Sequence, residues 1–99
     1  MVPSEPYHPT LEDILAFLRY EHIRATYGAV AEVIQVKPNE VGHLIGVRRK
    51  EVCWVVNART GLPTGYRESL LDPNLREKDE IIRTGADLEQ RVKHWKGSL

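Results

Sequence analysis

Few residues in this chain can do chemistry, and their spacing decides what each one offers. Cys53 is the sole thiol. A thiol becomes a useful nucleophile only as a thiolate, which needs a neighbouring imidazole or cation. The stretch Glu51-Val52-Cys53-Trp54 supplies none adjacent, so Cys53 is expected to be buried as a small apolar side chain, and alkyl transfer through it ranks last among the functions considered. One cysteine also makes no internal disulfide and no metal cage. His8, His22 and His94 are too scattered along the chain to propose a metal site, and no cofactor is expected. The carboxylates Asp79, Glu80, Asp87 and Glu89 stand in helix-supporting surroundings with no spacing that calls for acid-base work.

What remains is cationic. Across residues 37–67 six basic side chains (Lys37, Arg48, Arg49, Lys50, Arg59, Arg67) meet two acidic ones (Glu40, Glu51), a local excess of +4 in a chain whose formal net charge is zero. Such a patch is either a binding face for a polyanion or, for the triplet Arg48-Arg49-Lys50, a solvated helix end favoured by the negative pole of the helix dipole. His43 is either a hydrogen-bonding group for a phosphate or base edge, or an imidazole satisfied by solvent or core.

Composition bounds the class. At 99 residues, 41% apolar and 28% charged, the chain is the size of one small domain that buries roughly 60 to 65% of its unfolded surface. No run approaches the ~20 apolar residues of a membrane span. The opening Met-Val-Pro-Ser-Glu-Pro lacks the charged start and apolar centre of a secretory signal, so a cytoplasmic location is expected.

The elements that must position these groups follow from caps and periodicity. Pro3, Pro6 and Pro9 make residues 1–9 an extended arm. Thr10 offers an N-cap with Asp13 at the capping-box position; Leu11, Ile14, Leu15 and Leu18 share a helical face to about His22, widened by Phe17 and Tyr20. Ile23-Arg24-Ala25 reads as a link. Thr26 caps a second helix over residues 26–36, burying Tyr27, Val30, Ala31, Val33 and Ile34. After the turn Lys37-Pro38-Asn39-Glu40, a third helix over residues 38–47 is anchored by Val41, Leu44 and Ile45, leaving Asn39, Glu40, His43, Val47 and Arg48 on or near the other side. Gly42 and Gly46 bare one stripe of it at about 1 kcal/mol each relative to Ala. Either a neighbouring helix or a ligand should approach that stripe, and helix packing is the favoured occupant.

Val52-Cys53-Trp54-Val55-Val56 is the strongest strand signal. A turn at Asn57-Ala58-Arg59-Thr60-Gly61 leads to a return strand over residues 62–66, made an edge by Pro63. Trp54 then anchors this hairpin to the core, and Arg59 at its tip is placed for phosphate contact. Leu70-Leu71-Asp72-Pro73-Asn74 breaks the pattern, residues 76–80 are charged and exposed, and Ile81-Ile82 offers a short strand. Thr84 caps a last helix that presents Leu88, Val92 and Trp95 on one face and ends at Gly97. The fold class is α+β: a small winged helix-turn-helix of three N-terminal helices, a β-hairpin wing and a C-terminal helix, one domain over residues 10–99.

The ordered pieces Ala25-Thr26-Tyr27-Gly28-Ala29-Val30-Ala31, Val41-Gly42 with Leu44, Val55-Val56, Gly61 and Thr64-Gly65-Tyr66 resemble the C-terminal DNA-binding domain of the O6-alkylguanine DNA alkyltransferases and their non-enzymatic alkyltransferase-like relatives, over about residues 25–66. The resemblance implies a helix that enters the DNA minor groove, with a Tyr and an Arg that turn a damaged guanine out of the stack. Tyr27 matches the Tyr. Asn39 stands where the family carries the Arg. Where the family has Pro-Cys-His-Arg before Val-Val, this chain has Glu51-Val52-Cys53-Trp54, which sets Val52 at the reactive Cys and Cys53 one place off, on the opposite face if the segment is a strand. Some alkyltransferase-like proteins carry a Trp at the reactive position, but that place is Val52, so the role does not pass to Trp54.

The function expected is therefore that of a non-enzymatic DNA-binding protein of DNA repair, taking damaged or non-specific duplex DNA through Tyr27, Asn39, His43, Arg48, Arg49, Lys50 and Arg59. The alternative is a winged-helix protein-interaction domain without nucleic-acid binding. Candidate partners are double-stranded DNA or a protein, not a membrane; the oligomeric state is left open.

Overall fold

The reciprocal cap expected at Thr10 is present: the Thr10 hydroxyl accepts from the Asp13 N–H at 3.1 Å and the Asp13 carboxylate accepts from the Thr10 N–H at 3.2 Å, satisfying two donors a helix start leaves orphaned. The computed structural model describes residues 8–98. Most of the proposed arm, residues 1–7, lies outside them; Pro9 is buried. Helix α1 spans Leu11–Glu21 and stops where His22 turns left-handed (φ 55°). Ile14, Phe17 and Leu18 enter the core, while Tyr20 stays 70% exposed.

The stretch expected to be a mere link is the centre of the sheet. Strand β1, Arg24–Thr26, runs parallel to β2 (Val55–Val56) on one side and to β3 (Ile81–Ile82) on the other, in the register Ala25 to Val55 and Arg24 to Ile81. Parallel neighbours cannot be joined by a tight hairpin and need a crossover. Helices α2 (Tyr27–Ile34) and α3 (Pro38–Ile45) fill the first of these. The strands are almost wholly buried, as parallel sheets are.

Helix α2 begins with the Thr26 hydroxyl accepting from the Ala29 N–H at 3.0 Å and ends at left-handed Gln35. Pro38 opens α3, and the Glu40 carboxylate accepts from the Lys37 N–H at 2.9 Å. Gly46 ends it with φ 88°, a conformation that strains any L side chain. Helix α4, Gly85–Gly97, starts at the expected Thr84 cap. Helix α2 packs against both α3 and α4, and α4 meets it at Gly85, whose N–H donates to the Glu32 carboxylate at 2.5 Å. Leu88 and Val92 are fully buried, Trp95 sets an edge against Phe17 at 5.8 Å, and Lys96 pairs with Asp13 at 2.9 Å. The last third of the chain thus packs onto the rest through one core that runs from Ile14 to Val92. No helix among the described residues is long and apolar enough to cross a membrane.

Beyond the link that became β1, three more expectations about these elements need correction. The hairpin wing does not form. Val55 and Val56 spend their ladder on β1, and the donors of the supposed return strand go elsewhere: Pro63 has none, and the Thr64 N–H is taken by the Tyr27 hydroxyl at 3.1 Å. The bonds that close the loop are turn bonds, from the Asn57 N–H to the Leu62 carbonyl at 2.9 Å and from the Gly61 N–H to the Asn57 carbonyl at 2.8 Å. Second, only two residues of the run 52–56 are strand; Lys50–Val52 is a 3₁₀ turn and Cys53-Trp54 a further turn. Third, Leu44 does not anchor α3. It is 54% exposed, while Val41 is buried and Ile45 half-buried.

Candidate functional site

A groove of about 760 Å³ opens between α3 and the loop that carries Thr64 and Tyr66. Its α3 wall is Pro38, Asn39, Gly42, His43, Ile45 and Gly46, continued by Val47 and Arg48; Val52 and Val55 also line it, and Tyr27, Thr64 and Tyr66 form the other side. The helix periodicity explains the wall: with Val41 pointing to the core, Asn39, Gly42, His43 and Gly46 fall on the outward side, and all four are exposed. A Cβ placed on Gly42 or Gly46 would meet nothing within 4 Å. The bare stripe is therefore not a helix-packing surface, contrary to expectation, and it faces the open groove.

The opposite wall is pinned by side chains. Arg48 lies across Gly65, whose φ of 75° no L residue adopts readily and where an added Cβ would come within 2.7 Å of the guanidinium, and its Nε donates to the Thr64 carbonyl at 3.3 Å. Tyr66 spans to Arg49: its hydroxyl accepts from the Arg49 N–H at 3.2 Å and donates to the Arg49 carbonyl at 3.3 Å. Burial raises the Tyr66 phenol above its ordinary range, with the hydrogen bond from Arg49 pulling the other way. Behind the loop, buried Arg24 donates from Nη1 to the Gly61 carbonyl at 2.9 Å and from Nη2 to the Lys78 carbonyl at 3.0 Å. Burial first, and then the charge of Arg76, lower the Arg24 guanidinium. Taking a cation out of water is costly unless it is hydrogen-bonded, and these two carbonyls make Arg24 a fastener between β1 and the loop.

Of the seven residues singled out by sequence, four line the groove together: Tyr27, Asn39, His43 and Arg48. Arg49 sits at its wall through backbone bonds to Tyr66 but does not line it. Lys50 opens the 3₁₀ turn and Arg59 sits in the 57–61 turn, where its N–H donates to the Asn57 carboxamide at 2.8 Å; both are exposed and outside the groove lining. The triplet is not a helix end, since α3 stops at Ile45. Val47, Val52, Val55, Thr64 and Tyr66 were not assigned to a site from sequence. The motif Thr64-Gly65-Tyr66 was the available signal for the last two.

Charge is distributed unevenly around this site. Among the described residues, none of Lys37, Arg48, Arg49, Lys50, Arg59 and Arg67 makes an ion pair. Cys53 is fully buried and does not line the groove. Its sulfur accepts from the Asp72 N–H at 3.4 Å. Burial pushes the thiol upward, against the pull of that hydrogen bond, which is the reverse of what activates a nucleophile. Val52, at the position the resemblance pairs with the reactive Cys, does reach the groove. Among the described residues no three His, Cys, Asp or Glu side chains stand close enough to hold a metal ion.

No protein-family model, curated protein or solved structure matches this chain. Its chemistry therefore has to be argued from the groove and its surroundings.

Proposed function

We propose that this chain is a DNA-binding protein of the alkyltransferase-like kind, without alkyl-transfer chemistry, that takes damaged or non-specific duplex DNA against the groove beside α3. In this reading α2 and α3 act as a helix-turn-helix, and the loop over residues 57–66 stands where a wing was expected. The observation that carries it is the convergence of Tyr27, Asn39, His43 and Arg48 on one concave wall, with Arg49, Lys50 and Arg59 exposed and unpaired outside it among the described residues. Phosphates would engage these cations and set the register of the duplex. Asn39 and His43 would meet groove edges, and the Gly42 backbone would lie close to the nucleic acid. Asn39 is too short to fill a gap in the stack, so the reading does not include rotation of a base out of the duplex. The buried, proton-retaining Cys53 supports leaving transfer chemistry out.

The test is a fluorescence-anisotropy titration with plain and O6-alkylguanine duplexes at two salt concentrations. If about four phosphates are contacted, affinity should fall on the order of 10²-fold between about 50 and 200 mM salt. Arg48→Ala with Arg49→Ala should weaken binding at low salt and flatten that dependence. Absent or salt-independent binding would sink the proposal. A protein partner on this face is the second reading, favoured by the exposure of Leu44 and Val47.

A further inference from the structure

Tyr20, Leu44 and Val47 are the large hydrophobic residues most exposed among those described, at 70, 54 and 78%. Tyr20 has a ring neighbour in Trp95. Leu44 and Val47 fall within four residues of chain at the end of α3, and Val47 lines the groove directly beside Arg48. Helix α3 does not need either side chain for its own packing, since Val41 and Ile45 face inward. Gly46 between them carries no side chain and has open space where one would be. Both apolar side chains are thus exposed at the end of α3, three residues apart, Val47 on the groove wall and Leu44 outside its lining.

The charge around them selects what they meet. Lys37 precedes α3, Arg48, Arg49 and Lys50 follow Val47, and none is neutralised by a carboxylate among the described residues. The nearby Glu40 is committed to the Lys37 N–H. A stable protein interface buries about 1,200 to 2,000 Å² and has a core depleted in charge, whereas two aliphatic side chains flanked by cations are far short of that. They do suit a duplex, in which apolar side chains enter between base steps from the minor groove while cations hold the phosphates on either side.

Resting on the duplex-binding reading, we propose that Leu44 and Val47 form an apolar wedge that partly unstacks one base step and bends the DNA, with no nucleotide rotated out. The affinity comes from Arg48, Arg49 and Lys50, and the deformation from Leu44 and Val47. Sequence preference then follows the steps that unstack most easily, pyrimidine followed by purine.

The experiment uses the full chain and a duplex carrying 2-aminopurine beside a central TA step, with a donor and acceptor dye on its two ends. Wild-type protein should raise the 2-aminopurine fluorescence and bring the dyes closer. Leu44→Ala with Val47→Ala should abolish both signals even at protein concentrations that saturate the duplex at about 50 mM salt, where phosphate contacts still hold it. Leu44→Phe should keep the unstacking. Both sites are exposed, and matching thermal unfolding would show that the variants fold. Wild-type binding with unchanged fluorescence and dye distance overturns the wedge and leaves duplex binding standing, as does an alanine variant that deforms DNA like wild type. No duplex binding by wild type at low salt overturns both.

Discussion

Residues 37–67 and residues 68–98 each carry six lysines and arginines, and they use them in opposite ways. In the second segment every one is engaged. Arg76 pairs with Glu68, Arg91 with Glu80 and Asp87, Lys93 with Glu89 and Lys96 with Asp13; Lys78 donates to the Glu21 carbonyl and Arg83 to the Ala58 carbonyl. In the first segment only Arg48 has a side-chain hydrogen bond to the protein among the described residues, to the Thr64 carbonyl, and none has an ion pair. Exposed ion pairs are worth only about 0.2 to 1 kcal/mol, so pairing contributes little to stability. Its larger effect is on the field: one segment neutralises its own cations, and the other leaves positive charge unpaired beside a groove. A net charge of zero conceals this, because a polyanion meets the local surface and not the sum.

The contrast can be broken most directly by exchanging its two sides. Arg48→Ala with Arg49→Ala should lower duplex affinity at least about tenfold and reduce the slope of log affinity against log salt by about two. The matched pair Arg91→Ala with Lys93→Ala should leave DNA affinity unchanged and cost about 1 kcal/mol or less in thermal unfolding. Equal losses of affinity in both would mean that the unpaired cations have no special standing.

The two segments also place glycines differently. Gly85 lies where an added Cβ would collide with the Glu32 side chain, so Gly85→Ala should destabilise the fold by about 2 kcal/mol, a fall of roughly 10 °C in the unfolding midpoint for a domain this size. Gly42 has open space. Gly42→Ala should stabilise by up to about 1 kcal/mol while weakening duplex binding, because the methyl would stand on the groove wall. A loss of stability at Gly42 comparable with that at Gly85 would refute the open geometry.

A pH experiment sharpens the role of the turn before β2. Burial raises the Cys53 thiol in the folded state, so the fold holds that proton more tightly than the unfolded chain does. The contribution to stability is complete below the ordinary thiol value of about 8.5 and is lost as pH rises through the higher folded value, at no more than about 1.4 kcal/mol per pH unit. Unfolding midpoints measured from pH 7.5 to 9.5 should decline more steeply for wild type than for Cys53→Ala. The native thiol should also react slowly with an aromatic disulfide reagent until the protein is unfolded.

The helices were legible because their signals are local. Thr10, Thr26 and Thr84 each cap the helix assigned to them, Pro38 starts α3, and each is read from a few neighbouring residues. The groove was partly legible: the motif order pointed to Tyr27 and Asn39, the place of His43 on α3 and the basic triplet to His43 and Arg48, and all four line the groove. Val52-Cys53-Trp54-Val55-Val56 misled because a β-branched run fits a buried turn as well as a strand. Nothing in the residues says whether Val55 will pair with Leu62 across a tight turn or with Ala25 across a crossover. The second arrangement is the one adopted.

The sequence by itself determined where four helices start, which faces of α1 and α4 are apolar, and that residues 37–67 carry the positive excess. Each of these depends on spacing within a turn or two of chain. Tertiary structure alone decided that Arg24-Ala25-Thr26 would be the central strand and that Leu44 would be left in solvent, whereas the burial of Cys53 was already expected from its neighbours in the chain. Strands of two or three residues carry no readable period, and a side chain's exposure depends on what packs opposite it from distant parts of the chain.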